Sequence, residues 1–409
     1  MKNVLFILFA LVLTIGAFGQ QFEETVVTPP NFDKPQVKVG ADFAMQFQGL
    51  SHHADTARLI PLGKGINLPT ANLNLDAILA DGISVNVTTY LSARHHNEAW
   101  VKGGYLLIDK LPFIHSDLVA KAMDYLTFKV GVMELNYGDA HFRRSDNGNV
   151  IRNPFVGNYI TDAFTTAPAF EALYRNNGLI LMGGITNGSL KPQLITYNAT
   201  SRKYTTFNLV ENLAVYGKIG YDKQVNEDFR LRATVSLYHS PRNLSGSLYN
   251  GDRTGSRFYL VMQRLTYSAG DVDATANAFT GNYGPGTASK DNSIMTNLFL
   301  KYKGLEFFGT YEGINTTSTV GAPSYFNQYA LEGLYHFGKE DQFYAGARYN
   351  ATRSKSTSAV NRLEAGAGWF LTPNILVKAE YVDQNYSNFA VYGGNGGFDG
   401  MMIESTISF

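Results

Sequence analysis

No cysteine occurs in the 409 residues. Structural disulfides and thiolate-bound metal centres are therefore excluded. Charge is sparse: 17% of residues are charged, 34 basic against 34 acidic. A chain without net charge has no general attraction for nucleic acid. Beyond residue 19 no run of 18 apolar residues occurs, so no transmembrane helix is expected there. The G-x-S-x-G elbow, the H-E-x-x-H pair and the Walker loop are all missing. No enzymatic activity, cofactor or resident metal is expected. What the chain has in quantity is 40 Gly, 25 Tyr and 27 Phe.

The start of the chain reads as a leader. Lys2 precedes an apolar run from Val4 to Ile15, and Ala17 and Gly19 supply a small-x-small cleavage site. Residues 1–19 are expected to be a secretory signal peptide. Residues 20–35, with Pro29, Pro30 and Pro35, are expected to be a periplasmic lead-in, and 36–409 the folded domain.

From residue 36 the pattern has period two. Val37, Val39, Ala41, Phe43, Met45 and Phe47 interleave with Lys38, Asp42, Gln46 and Gln48. Phe229, Leu231, Ala233, Val235 and Leu237 interleave with Arg230, Arg232, Thr234 and Ser236. Successive strand residues point to opposite faces, so each segment has one apolar and one polar side. A soluble sandwich also alternates. Most strands here span about 9–13 residues, however, longer than usual and near the length that crosses a bilayer. Tight turns such as Ala80-Asp81-Gly82 alternate with long loops such as 137–166 and 241–292. Tyr137, Tyr174, Tyr238, Tyr311, Phe337, Phe343, Trp369, Tyr386 and Phe398 sit near strand ends and read as interfacial girdles.

These features predict an all-β fold, a transmembrane antiparallel up-and-down β-barrel in the outer membrane. In hydrocarbon an unpaired backbone group costs several kcal/mol, so a sheet crosses only when closed. Sixteen strands are expected, near 36–49, 69–80, 83–95, 103–112, 125–136, 166–175, 179–186, 208–222, 228–240, 292–303, 305–313, 326–337, 342–351, 361–370, 374–386 and 398–409. Arg257–Tyr267 is strand-prone on both faces and could be a hairpin within a loop, a strand extension, or part of an extra pair, which would make eighteen. Ser116–Met123 breaks the period and predicts a short helix in a periplasmic turn. The chain ends on the strand "MMIESTISF", whose Phe409 would mark the closing strand. Outer-membrane barrels commonly end so, and the barrel assembly machinery is thought to read that residue.

The stretch "FKVGVMELNYGDAHFRRSDNGNVIRNPFVGNY", Phe128 to Tyr159, resembles porins of Bacteroidota-type outer membranes. It is similar in layout to the phosphate-selective porin family, sixteen-stranded and usually trimeric. Val130-Gly131 to Tyr137-Gly138-Asp139 is also similar to carbohydrate-export barrels. The resemblance implies a homotrimeric diffusion channel for small hydrophilic solutes or ions. It also implies that loop 137–166 folds inward and narrows the pore. Asp139, Arg143, Arg144, Asp146 and Arg152 are then the candidate constriction residues, since guanidinium groups attract anions and opposed carboxylates set a transverse field. The alternative is an external loop held by its own salt bridges.

Lumen-facing charges form a second candidate set, because a charge on the lipid face costs roughly 2–4 kcal/mol at the midplane. Lys38, Arg94, Lys129, Lys218, Arg230, Arg232, Lys301, Arg348 and Lys378 fall on polar faces. So do Asp42, Asp76, Glu171, Glu306, Glu312, Glu332, Glu364, Glu380 and Glu404. Lys129 and the pair Arg230 and Arg232 are the candidates for an anion-attracting patch. Both signs occur, unlike the basic ladder of the phosphate-selective family. His52-His53 and His95-His96 in loops could bind a surface metal, but no spaced carboxylate partner accompanies them. Two rival functions remain: a scaffold of a secretion or surface-attachment system, and a barrel lipase or protease.

Overall fold

Period-two alternation becomes an unbroken ring of antiparallel pairs in the computed structural model. It describes residues 20–409 except 27, 30–31, 68–69, 93–98, 147, 190–194, 207–211, 242–245, 250–254, 266–279 and 319–320. The leader, Arg94 and His95-His96 lie outside the described residues. The wall runs β1 (Gln36–Ala54), β2 (Thr70–Ala80), β3 (Ile83–Ser92), β4 (Ala99–Ile108), β5 (Leu126–Glu134), β6 (Thr166–Asn176), β7 (Leu179–Thr186), β8 (Ala214–Gln224) and β9 (Phe229–Ser240). It continues with β10 (Gly286–Tyr302), β11 (Leu305–Ser318), β12 (Pro323–Phe337), β13 (Phe343–Ser354), β14 (Ala359–Thr372), β15 (Ile375–Phe389) and β16 (Gly394–Ser408). Each strand pairs with the next. β1 closes the ring against β16, from Asp42 opposite Ser408 to Ala54 opposite Gly396. The fold is therefore a closed sixteen-stranded barrel, and the extra pair that would make eighteen does not occur among the described residues.

The terminal phenylalanine belongs to this seam. Phe409 donates its N–H to the Ala41 carbonyl (3.0 Å) and accepts the Ala41 N–H (2.9 Å). Its ring is 70% exposed. The expected helix is present as α1 (Asp117–Met123), between β4 and β5 at the end carrying both termini and the short turns.

The fourth strand covers 99–108 rather than 103–112. Asp109 and Lys110 instead donate backbone N–H groups to the Gly82 carbonyl, bending the chain away from the wall. Gly131 makes β5 fit β4. It sits at φ 147°, and a Cβ there would lie 2.6 Å from the Tyr105 Cα. Gly131→Val is expected to impair refolding into detergent, measured as a reduced yield of the heat-modifiable band on gels; a wild-type yield would show that β4 and β5 can separate to admit it.

The outward face carries the apolar residues between two aromatic rows. At the short-turn end, Tyr335, Phe337, Phe343 and Trp369 stand at successive ring separations of 6.1, 5.6 and 5.7 Å. Towards the long loops, Tyr311, Tyr349 and Tyr381 each donate a hydroxyl to a polar residue of the next strand: Asn327 (3.1 Å), Asn361 (3.2 Å) and Asp399 (3.4 Å). The Tyr329–Phe337 stretch of β12 covers roughly 26 Å along a strand, which tilt reduces towards the apolar height of outer-membrane barrels. Four residues assigned to the girdles from the sequence do not belong there. Tyr137, Tyr238, Tyr386 and Phe398 point inward and are buried. Proximity to a strand end does not reveal the face; parity within the strand does.

Candidate functional site

Along most of their length the polar faces of β10–β16 do not line open water. Loop 135–165 enters the lumen and lies across them, and charged wall residues hold its backbone. Lys378 donates Nζ to the carbonyls of Val150 (3.0 Å), Asn153 (2.8 Å) and Phe155 (3.0 Å). Arg348 donates to the Gly157 carbonyl (2.8 Å) and the Asn153 side-chain oxygen (3.0 Å). Arg362 reaches the Asn158 carbonyl. Glu380 accepts the Val156 N–H (2.6 Å), and Asn350 and Gln328 accept those of Ile160 and Thr161. Carboxylates alternate with these cations around the wall: Arg348 pairs with Glu332 (3.0 Å) and Glu364 (3.3 Å), and Lys378 with Glu404 (2.8 Å). A buried charge is tolerated when paired and hydrogen-bonded, and loop carbonyls supply acceptors to Lys378 and Arg348 here.

A second insertion covers the seam. One reading of Arg257–Tyr267 from the sequence is part of an extra wall pair; its stretch Arg257 to Met262 lies inside the barrel instead. Its Arg257, Leu260 and Met262 have positive φ. Gln46 and Gln48 of β1 donate to the carbonyls of Arg257 (2.7 Å) and Tyr259 (2.9 Å), and Arg257 pairs with Glu404. Phe258 and Val261 are fully buried. Protein surrounds the segment, which is why both of its faces are apolar.

The first described residues make a third insertion. Residues 20–26, expected as a periplasmic lead-in, enter the barrel from the short-turn end and reach the inner loop. Gln20 accepts from Arg143 (3.1 Å) and donates to the Phe142 carbonyl (3.2 Å).

The sequence-derived candidates fall into three groups. Asp139, Arg143, Arg144 and Asp146 are buried in ion pairs. Asp139 accepts from Lys218 (2.8 Å), from Arg232 (2.8 Å) and from Thr234 (2.7 Å). Burial pushes its carboxyl up, but Lys218 and Arg232 outweigh that and hold it well below the usual range. Arg143 bridges Glu306 (2.7 Å) and Glu332 (3.0 Å), and Arg144 grips both oxygens of Asp162 at 2.7 Å. Asp146 meets Lys102 at 2.6 Å; burial again opposes ionisation, yet Lys102 and Arg144 bring its pKa to about 2.

Arg230 and Arg232 do not form a free anion-attracting patch. Arg230 is bidentate to Asp222 (2.9 and 2.8 Å). Arg232 spans Asp139 and Glu23, at 2.8 and 2.6 Å. Lys129 lies 3.5 Å from Glu24 and 3.8 Å from the Tyr105 ring centre. Arg152 forms the third group. It donates to the Gln21 side-chain oxygen (2.5 Å) and lines a cavity of about 180 Å³ with Glu306, His336 and Tyr344.

The filling is lopsided. Glu364, Gln384 and Glu404 are fully buried under the insertions. Across the lumen, Asn74, Asn86 and Thr88 on β2 and β3 are half-buried and Asp76 is exposed. Water therefore reaches the short-turn half of the β2–β3 side; nearer the long loops Asn72 and Tyr90 on the same face are buried. Sequence reading placed Arg348, Lys378 and Glu364 in the lumen but not beneath a loop, and it passed over Arg362, Arg257 and Glu23. The parity of Arg362 with Glu364 was the available signal. His52 is engaged within the structure: its two ring nitrogens face the Ile60 carbonyl (2.6 Å) and the Met262 N–H (2.9 Å). Among the described residues no cluster suited to a metal occurs.

No family model and no curated protein sequence matches this chain. Solved structures do. An anion-selective porin from Comamonas acidovorans aligns with a TM-score of 0.56 at 10% identity, over 92% of this chain and 100% of that one. Pseudomonas putida OprB aligns at 0.53 and 8%, over 91% and 94%. The outer membrane channel DcaP of Acinetobacter baumannii aligns at 0.50 and 10%, over 92% and 98%. At such identities the likeness is one of fold: this is a closed barrel of the porin kind.

Proposed function

We propose that the protein is an outer-membrane porin, a water-filled path for passive diffusion of small hydrophilic solutes or ions. The observation that carries this reading is the polar, solvent-reached stretch of lumen along the short-turn half of β2 and β3, beside an inward loop and inside an apolar outer band. An inserted loop that leaves one wall wet narrows a pore without sealing it. The porin likeness of the fold supports the same reading. The leader is removed near Gly19, and the C-terminal strand ending in Phe409 addresses the chain to the barrel assembly machinery. The similarity to the phosphate-selective family rests on residues 128–159 alone.

The barrel assembles as a homotrimer. The outer faces of β2 and β3 support this, since Leu73, Leu75, Val85 and Val87 are aliphatic where β12–β14 carry aromatic rings; β1 adds Val37 and Val39 next to the outward rings of Phe43 and Phe47. Small aliphatic side chains suit close contact between walls, whereas rings suit the lipid interface.

Planar-bilayer recording of the refolded barrel is the test. Stepwise, steady currents are expected, of small unitary size because half the lumen is occupied. Silence at all voltages would favour the scaffold of a secretion or attachment system. A liposome-swelling series with graded neutral and charged solutes then gives the size limit.

A further inference from the structure

We propose that residues 20–26 are a tethered blocker, an acidic aromatic segment docked as a ligand in a cationic site on the inner wall of β5, β8 and β9. This rests on the channel reading above.

The segment is held by side chains rather than by sheet. Among the described residues, no backbone-to-backbone hydrogen bond joins 20–26 to the barrel. A segment outside the ladder can leave without opening the wall. Yet its contacts are specific. Glu23 accepts two bonds from Arg232 (2.8 and 2.6 Å) and one from Lys218 (3.5 Å). Glu24 accepts from the Tyr105 hydroxyl (2.7 Å) beside Lys129. Phe22 is buried edge-on against Phe142 and Phe299, at 5.6 and 5.5 Å, and Arg232 lies 4.1 Å from its ring centre. A bidentate carboxylate next to a caged, cation-capped ring is how a binding site recognises an acidic peptide.

The tether is at the short-turn rim. The Gly82 N–H donates to the Thr28 hydroxyl (3.0 Å), and the Val26 N–H to Asp109 (3.0 Å). Pro29, Pro30 and Pro35 follow before β1. Proline restricts this linker to extended forms, so it holds the segment near the mouth after release. Departure would remove both Glu23 and Glu24, making the lumen more positive by two charges as well as wider.

The test compares the full chain with one lacking residues 20–28 after the leader. The shortened barrel is expected to show a unitary conductance roughly twofold higher, as a wider pore must, with its reversal potential shifted towards anions. A synthetic peptide of the sequence Gln20 to Val26, added at the short-turn side, should lower that conductance again. The same peptide with Phe22→Ala and Glu23→Gln should not. Equal conductance in both barrels, or no effect of the peptide, overturns the proposal. A second measurement is independent of conduction: fluorescence anisotropy of the labelled peptide with the shortened barrel in detergent. If both barrels are silent in bilayers, the channel reading fails, while peptide binding still decides the docking. Absence of binding at millimolar peptide overturns it.

Discussion

Arg348→Ala is expected to free the inner loop and lower the stability of the barrel by about 3–5 kcal/mol, the range for breaking a buried ion pair from one side. One guanidinium ties Glu332, Glu364, the Gly157 carbonyl and the Asn153 side chain together, and Phe155 stacks 4.4 Å from it. Removing it leaves carboxylates in a dry site and a loop backbone without its donor. Lysine should not restore the wild-type state, because an ammonium cannot present the planar fork that reaches all four partners. The readouts are the heat-denaturation midpoint of the refolded barrel and limited proteolysis within 140–160. Unchanged protease resistance would mean that Lys378 and Arg362 suffice to hold the loop. Arg353→Ala on the outer face is the control, with no effect expected.

Arg152→Glu should move ion selectivity strongly towards cations. Arg143 and Arg144 face carboxylates, so their fields are largely cancelled nearby. Arg152 hydrogen-bonds a neutral amide, has Glu24 and Asp42 nearby without a direct ion pair to either, and borders open space. Reversing its charge changes the local potential by two charges; at about 5 Å in water, screened by 0.1 M salt, this is about 1 kcal/mol for each ion with opposite sign for anion and cation, roughly a thirtyfold change in the anion-to-cation permeability ratio. At about 1 M salt, where screening acts over roughly 3 Å, the change in the ratio should fall to about threefold. The reversal potential across a salt gradient measures it. No shift would place Arg152 off the conducting path. Arg143→Gln and Arg144→Gln are expected to act mainly on loop stability, because their removal breaks buried pairs.

The wall was readable from local pattern. Val37 to Phe47 alternates wherever it is placed, and its pairing with β16 and β2 follows from closure. Ser116 and the short amphipathic run after it announced α1. The apolar double face of Arg257–Tyr267 misled because it resembles a strand packed on both sides, and a segment surrounded by protein has the same composition. Arg230 and Arg232 looked like a free patch because Asp139 and Glu23 are distant in the chain. The seven residues before Val27 carry no periodicity, so nothing in them disclosed that they fold into the lumen.

Alternation of apolar and polar residues by itself determined a closed tube with its greasy side outward, since the side-chain period is local and an open sheet edge is intolerable in hydrocarbon. What occupies the tube was decided only by tertiary structure. A polar side chain on the inner face is equally satisfied by water or by a loop carbonyl. Which of the two it meets depends on segments more than a hundred residues away, so the same arginine can line a channel or clamp its filling.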